Sequence, residues 1–461
     1  VDRTRRLHRQ VLDLSKNTLF RGSAAYSAAV LITAAGSLIF WAVAARTTTQ
    51  DIVGRAAVLG SLLTFLNFPV TLPLIVVVAR FGRGDERSDR VVLNIAALVA
   101  GATMAVVSLA VYVVARVVGI SQLQPFMDAN GVLVFILVGV GGAWSLIIEM
   151  RLLAERRYGW MLGRALIVNI CAILLVTAGR MSESPLALFV ASNGVVAVGA
   201  PVTWFLTQRR APHWLAVWPL PANVGTIVRF AAVAVPSTLG GQLAFMALPV
   251  IVALSVIPST NAQFFIAWNV TVMATIILFS VGTALLVEGD RGENLSAQAR
   301  QALRLALVLA LVLTIGMVAA SPLIPVIYGS GFSDAAVLLR WLALGCLPLA
   351  VYSVALTCVR VQRRSRSMVG LPLLLAFVLL GPALVLIPQY SLAGAAAAWL
   401  IGTFSIGFAS AFLYRRISGS QQGVPAKDVD LDWIFSGRSV DRPTSNLGRA
   451  RTRDGADSAD R

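Results

Sequence analysis

The 461-residue sequence predicts an all-α polytopic membrane protein of about twelve transmembrane helices, arranged as two pseudo-symmetric six-helix bundles. Three observations carry that prediction. The chain is 57% hydrophobic and only 13% charged, more apolar surface than a water-soluble fold of this length has room to bury. Its apolar runs recur at lengths near the ~20 residues needed to cross a hydrocarbon core of about 30 Å. Its Lys and Arg residues crowd every second loop and are scarce in the loops between, which is the positive-inside pattern.

The elements follow in order. Residues 1–23 form a basic, polar segment, and the first apolar run, Ala24 to Ala45, follows directly. That run is long enough to span and its basic flank is long for a signal peptide, so an uncleaved first helix is expected. Further apolar runs centre near residues 68, 103, 142, 169 and 196 and complete a first bundle at 24–208. A basic linker, 209–224, leads to a second bundle at 225–416, with runs centred near 240, 274, 315, 347, 378 and 403. The polar tail, 417–461, ends RTRDGADSADR and has the composition of a disordered segment.

Loop chemistry orients the chain. RFGRGDERSDR (80–90), RLLAERRYG (151–159), TQRRAPHW (207–214), EGDRGENLSAQARQALR (288–304) and RVQRRSRS (360–367) are Arg-rich, whereas TTTQD (47–51), IPSTNAQ (257–263) and PQYSLAG (388–394) are nearly neutral. Of the 38 basic residues, all but Arg46, Arg55, Arg116, Arg180 and Arg340 fall on the first side. That side, with both termini, is expected to be cytoplasmic. Only Lys16 and Lys427 among the 38 are lysines, which looks like a GC-rich bacterial genome and hence a bacterial plasma membrane.

The halves also resemble each other at a spacing of about 209 residues, as expected of parallel repeats related by an axis along the membrane normal. A basic entrance at Arg21 or Arg229 precedes a span, and a polar outer turn then feeds a helix carrying Asn67 or Asn269. Two such bundles facing a central cavity form a transporter architecture.

Several function classes are excluded. The net charge of +17 sits in short loops and at helix ends, where anionic headgroups attract it, and no basic stripe with interleaved aromatics tracks a nucleic acid. Cys171, Cys346 and Cys358 lie in apolar runs without CxxC spacing, so neither a disulfide framework nor a zinc site is implied. The only histidines, His8 and His213, lie in polar segments, and no GxxxxGK[ST] loop is present to bind ATP. No cofactor is expected. A membrane glycan polymerase or ligase is the main enzyme alternative, but the outer loops are small and neutral.

Charge inside a bilayer costs about 2.5–3.5 kcal/mol on insertion scales, so each charged position has a reason. Arg55, beside the first outer turn, either attracts a pyrophosphate in the cavity or snorkels to headgroups. Arg340, next to Trp341, either binds substrate or anchors at the interface. Arg21 and Arg229 either receive lipid phosphates at the inner mouths of the halves or simply orient them. Glu149 is the candidate for ion coupling, with pairing to Arg151 or Arg156 as the other reading. Asn67, Asn169, Asn193, Gln242 and Asn269 offer donors and acceptors to sugar hydroxyls or to neighbouring helices. Pro69, Pro73, Pro236 and Pro249 break backbone hydrogen bonds, either as hinges of the cavity-lining helices or as kinks of ordinary packing.

Three stretches carry a family resemblance: AARTTTQDIVGRAAVLGSL (44–62), PVIYGSGFSDAAVLLRWLAL (325–344) and IPQYSLAGAAAAWLIG (387–402). Over roughly residues 15–416 the chain resembles the oligosaccharide-flippase, or polysaccharide biosynthesis, branch of the multidrug/oligosaccharidyl-lipid/polysaccharide (MOP) exporter superfamily. It departs from the pattern at Ser391, where a Gly usually stands, and at Ile52 to Gly54, where an aromatic is common. The resemblance implies the MOP flippase fold and a transporter that moves a polyprenyl-pyrophosphate-linked oligosaccharide to the outer leaflet for cell-surface polysaccharide synthesis. Its implied partners are that lipid-linked substrate, membrane lipids, and a glycan polymerase or glycosyltransferases of the same pathway. Multidrug antiporters of the superfamily typically carry an acid, often with a Pro, in the first helix, and the lipid II flippase branch carries several Arg there. Ala24 to Ala45 has none of these, so an ion-coupled drug or small-solute antiporter is the alternative and the general glycan-lipid branch the expectation.

Overall fold

The computed structural model describes residues 18–81, 86–178, 184–208, 225, 242–289, 295–362 and 365–419. The described part is nearly all helical. The first half holds α1 (Thr18–Thr47), α2 (Gln50–Phe81), α3 (Glu86–Val118), α4 (Ala129–Ala154) and α5 (Tyr158–Thr177). Its last helix, α6, runs through Pro185–Phe189, a π turn at Val190–Gly194, and Val195–Gln208. In the second half are α7 (Gln242–Ser255), α8 (Pro258–Gly289), α9 (Leu295–Ala320) and the short α10 (Leu323–Tyr328). They are followed by α11 (Ser333–Leu344), α12 (Cys346–Val361) and α13 (Ser365–Gly419).

Helix ends have local causes. Asp128 caps α4 by accepting the Gly131 N–H at 2.8 Å. Ser184 caps α6 through the Ala187 N–H at 3.0 Å, with Pro185 in the first turn, where a missing N–H costs nothing. Gly119, at φ +74°, ends α3, and Gly329, at φ +110°, ends α10, conformations a Cβ would oppose.

Among the described residues, ten helical stretches are long and apolar enough to cross a membrane. One of them, Ser367–Arg416, is two spans, because α13 folds back on itself at Ser391 (φ 49°, ψ −122°). Gly402 in its second arm packs against Leu379 in its first so closely that a Cβ would stand 2.8 Å from the Leu379 Cα. α11 and α12 form one span broken at Gly345, where the indole of Trp399 occupies the space a Cβ would need. Counting α13 as two gives eleven spans among the described residues, and the shorter apolar α7 adds a twelfth helix in the second half. Their outward faces are apolar: Val117, Phe377 and Phe408 are each more than three-quarters exposed. A soluble surface does not carry so much exposed hydrocarbon; this is a multi-pass membrane protein.

The repeat is sharper in the structure than in the sequence. α2 and α8 are both 32 residues long and begin 208 positions apart, at 50 and 258. In that register Asn67 corresponds to Thr275, and Asn269 to Ser61. Each is displaced by six residues, more than a full turn, so the two amides present different helix faces. Arg229, Pro236 and the linker 209–224 lie outside the described residues, as do residues 1–17 and the tail beyond 419.

Each half has its own aromatic core. Phe126, Phe135 and Phe189 pack in series in the first. Trp399, fully buried, meets Trp268 and Phe245 edge-on in the second and donates its Nε1–H to the Leu342 carbonyl at 2.9 Å.

Candidate functional site

The halves meet along α2 and α8 at the weakly charged end of the bundle. Gly54 lies so close to Pro258 that a Cβ there would run into the Pro258 carbonyl. Buried Asn261 donates Nδ2–H to the Gly54 carbonyl at 2.9 Å, a hydrogen bond across the seam. Beside it, Trp41 of α1 packs edge-on to Phe265 of α8, with ring centroids 4.8 Å apart. Arg46, at the last turn of α1, donates its Nε–H to the Ile327 carbonyl at 2.9 Å and a second N–H to Val326. It thereby satisfies carbonyls at the end of α10 that the helix itself leaves open. The Tyr328 hydroxyl donates to the Leu38 carbonyl at 3.4 Å, and burial pushes that phenol up to about 12, so it remains a donor at physiological pH. Together these contacts close the two halves against each other at this end.

Within the first half, amides face glycines on neighbouring helices. Gly36 of α1 leaves room for Asn169, Gly60 of α2 for Asn193, and Gly142 of α4 for Asn67. Asn169 and Asn193 also donate back along their own helices, to Ala165 and Phe189, and Asn269 does the same to Phe265. Asn193 sits on the π turn, a distortion that frequently marks functional positions. Asn67 differs: its Oδ1 is buried without a hydrogen-bond partner among the described residues.

Arg55 forms an i,i+4 ion pair with Asp51, Nε to Oδ2 at 2.8 Å, at the weakly charged end. Arg340, exposed next to exposed Trp341, donates to the Ser321 hydroxyl at 2.7 Å, a geometry suited to interfacial anchoring. Gln242 is exposed at the start of α7, and Arg21 falls in the first turn of α1. Pro69 and Pro73 interrupt α2, while the Thr71 hydroxyl bonds the Asn67 carbonyl at 2.8 Å between them; Pro249 is buried in α7.

At the basic end the structure pairs residues differently from the sequence expectation. Arg151 binds Glu155, which also takes Arg157 at 3.0 Å. Glu149 makes no ion pair among the described residues, and Arg164 of α5 donates a guanidinium N–H to the Ser145 hydroxyl of α4. The reason is helical geometry: residues 149 and 151 lie about 200° apart around α4, so they cannot share a partner face. Arg164 escapes a sequence reading because it follows the basic turn 151–159 closely enough to be counted with it. Arg46 and Asn261 escape because nothing local shows what lies across the seam. Among the described residues, no group of three His, Cys, Asp or Glu is placed to hold a metal ion.

Two helical halves joined at one end by the α2–α8 seam define a two-bundle membrane architecture. Solved structures place it within a known fold. Over 88% of its length the chain is similar to 97% of an outward-facing multidrug resistance MATE family transporter of the MOP superfamily, at 13% identity and a TM-score of 0.60. It is similar over 85% of its length to 89% of the lipid II flippase MurJ in its inward closed conformation, at 12% identity and a TM-score of 0.64. A mutant of the Vibrio cholerae MATE transporter VcmN matches 89% of this chain and 98% of its own, at 14% identity and a TM-score of 0.58. No protein-family model matches the sequence, and no curated protein matches it. The chain has the MOP transporter fold.

Proposed function

We propose that this protein is a flippase that carries a polyprenyl-pyrophosphate-linked oligosaccharide from the inner to the outer leaflet of a bacterial plasma membrane, with both termini in the cytoplasm. The observation that carries the reading is the sign of the charge at membrane depth. α1 holds no acid between Ala28 and Thr47, and Arg46, Arg55, Arg164 and Arg340 stand in or at the ends of the spans. Asp51 and Glu149 offset two of them. Net cationic charge in and at the ends of the spans, with amides between the helices, favours a pyrophosphate and sugar hydroxyls over an organic cation. The seam at Gly54 and Asn261 would part as the halves rock, releasing the headgroup on the outer side. A glycan polymerase or glycosyltransferases of the same pathway would supply or consume the substrate.

Depleting the protein in its host and following lipid-linked oligosaccharides with a leaflet-impermeant probe tests this. Completed units should accumulate in the inner leaflet, and unchanged pools would sink the proposal. The Arg55→Ala, Arg340→Ala double variant should lower flipping at normal expression; full activity would remove both residues from the mechanism. A second reading, an ion-coupled drug antiporter, draws on Glu149, a carboxylate in a span beside Arg164. It requires drug susceptibility to change while the surface glycan does not.

A further inference from the structure

The basic end of the first half carries a cavity apart from the α2–α8 seam. A slot of about 830 Å³ lies between α5 and α6. Arg156 and Arg157 stand at its mouth, and Arg164 lies deeper in its wall. Arg164 is six residues into α5, about 9 Å along the helix axis. Among the described residues, no acidic side chain lines the slot. Glu155 engages Arg157 from outside the lining, and Ser145 engages Arg164 from the α4 side.

The rest of the lining is apolar and opens sideways. Among the described residues, a Cβ on Gly159 or Gly163 would meet nothing within 4 Å. Ile167 and Val202 on the facing walls are 63% and 50% exposed, as lipid-facing side chains are. Trp160 stands at the mouth, half exposed, at the depth where interfacial aromatics settle. Cations at headgroup depth above apolar walls at acyl-chain depth match the two ends of a phospholipid. A soluble anion would have no use for the apolar part. The volume falls in the ~300–1,000 Å³ range of sites that bury a small ligand.

We propose that this slot binds the phosphate headgroup of an anionic phospholipid, which enters sideways from the leaflet at the basic end, with its chains along Ile167 and Val202. The slot would hold that lipid whichever substrate is transported.

Native mass spectrometry of the full-length protein, released from micelles holding equal phosphatidylglycerol and phosphatidylcholine, tests it. The wild type should retain phosphatidylglycerol preferentially. Arg156→Gln and Arg157→Gln should each weaken retention about five-fold, the effect of one basic residue at an anionic lipid surface. Gly163→Leu should abolish retention by filling the slot while leaving thermal stability intact, since no atom among the described residues stands in its way. Equal retention of the two lipids, or phosphatidylglycerol retention unchanged in all three variants, would overturn the proposal. So would displacement of phosphatidylglycerol by an equimolar polyprenyl pyrophosphate, which would make the slot a substrate site. Loss of a dimer in Gly163→Leu with lipid retention unchanged would make it a protein interface instead.

Discussion

Substituting Gly54 by Ala should force the halves apart at the weakly charged end. In the closed arrangement the new methyl group would overlap the Pro258 carbonyl, which is backbone and cannot swing aside. Inserting a methyl group into a packed contact typically costs about 1–3 kcal/mol. Any parting also weakens the Asn261 hydrogen bond to Gly54, with a net value of about 0.5–1.5 kcal/mol. The penalty falls only on the closed state, because Gly54 and Pro258 belong to different halves. With about 1.4 kcal/mol equal to a factor of ten, the closed-to-open ratio should fall between about 10-fold and 1,000-fold. Spin labels at Ser121 and Ser333, exposed at this end in opposite halves, read the change as longer distances in a double electron–electron resonance experiment. Asn261→Ala introduces no clash and should shift the distribution the same way by a smaller amount. Wild-type distances in both variants would refute the assignment of this contact as the closure.

Three further outcomes are expected. Ser391 holds φ 49°, a conformation that favours glycine, so Ser391→Gly should stabilise the protein by about 1 kcal/mol, strain relief of ~1–3 kcal/mol being partly offset by glycine's greater unfolded entropy; an unchanged or lower melting temperature would contradict this. Arg164→Met should destabilise by about 1–3 kcal/mol by removing the guanidinium hydrogen bond to the Ser145 hydroxyl, and adding Ser145→Ala should cost little more, because that bond is already gone; a strictly additive double variant would show the two residues to be uncoupled. The Tyr328 phenol is raised by burial, so its contribution is fully present below about pH 10, its unfolded value, and is lost as pH rises through about 12. The stability difference between wild type and Tyr328→Phe should therefore stay constant from about pH 6 to 9 and shrink above about pH 10, and a change between pH 6 and 9 would be inconsistent with that shift.

How far the sequence reaches differs between elements. Membrane spans were legible because bilayer thickness sets helix length and leaves a composition signal within each segment. The last two spans show this: α13 carries both without an intervening loop, yet the turn residues Pro388 to Gly394 mark the fold-back at Ser391, whose φ of 49° favours glycine. The glutamate and the amides were legible as polar groups in apolar runs, but the amides' partners were not. Asn169 and Asn193 each meet a glycine more than a hundred residues away, and only the packing shows that these contacts are interhelical.

The amino-acid sequence by itself determined that the chain is helical, crosses a membrane about twelve times and repeats once, since hydrophobic length, charge distribution and turn residues act within short segments. Tertiary structure alone decided the register of the repeat, the Gly54–Pro258 and Arg46–Ile327 contacts that close the seam, the Arg164–Ser145 contact, and the slot between α5 and α6. Each depends on how helices distant in sequence are rotated and apposed. That rotation is set by close packing of small residues across many helices at once, and no single segment encodes it.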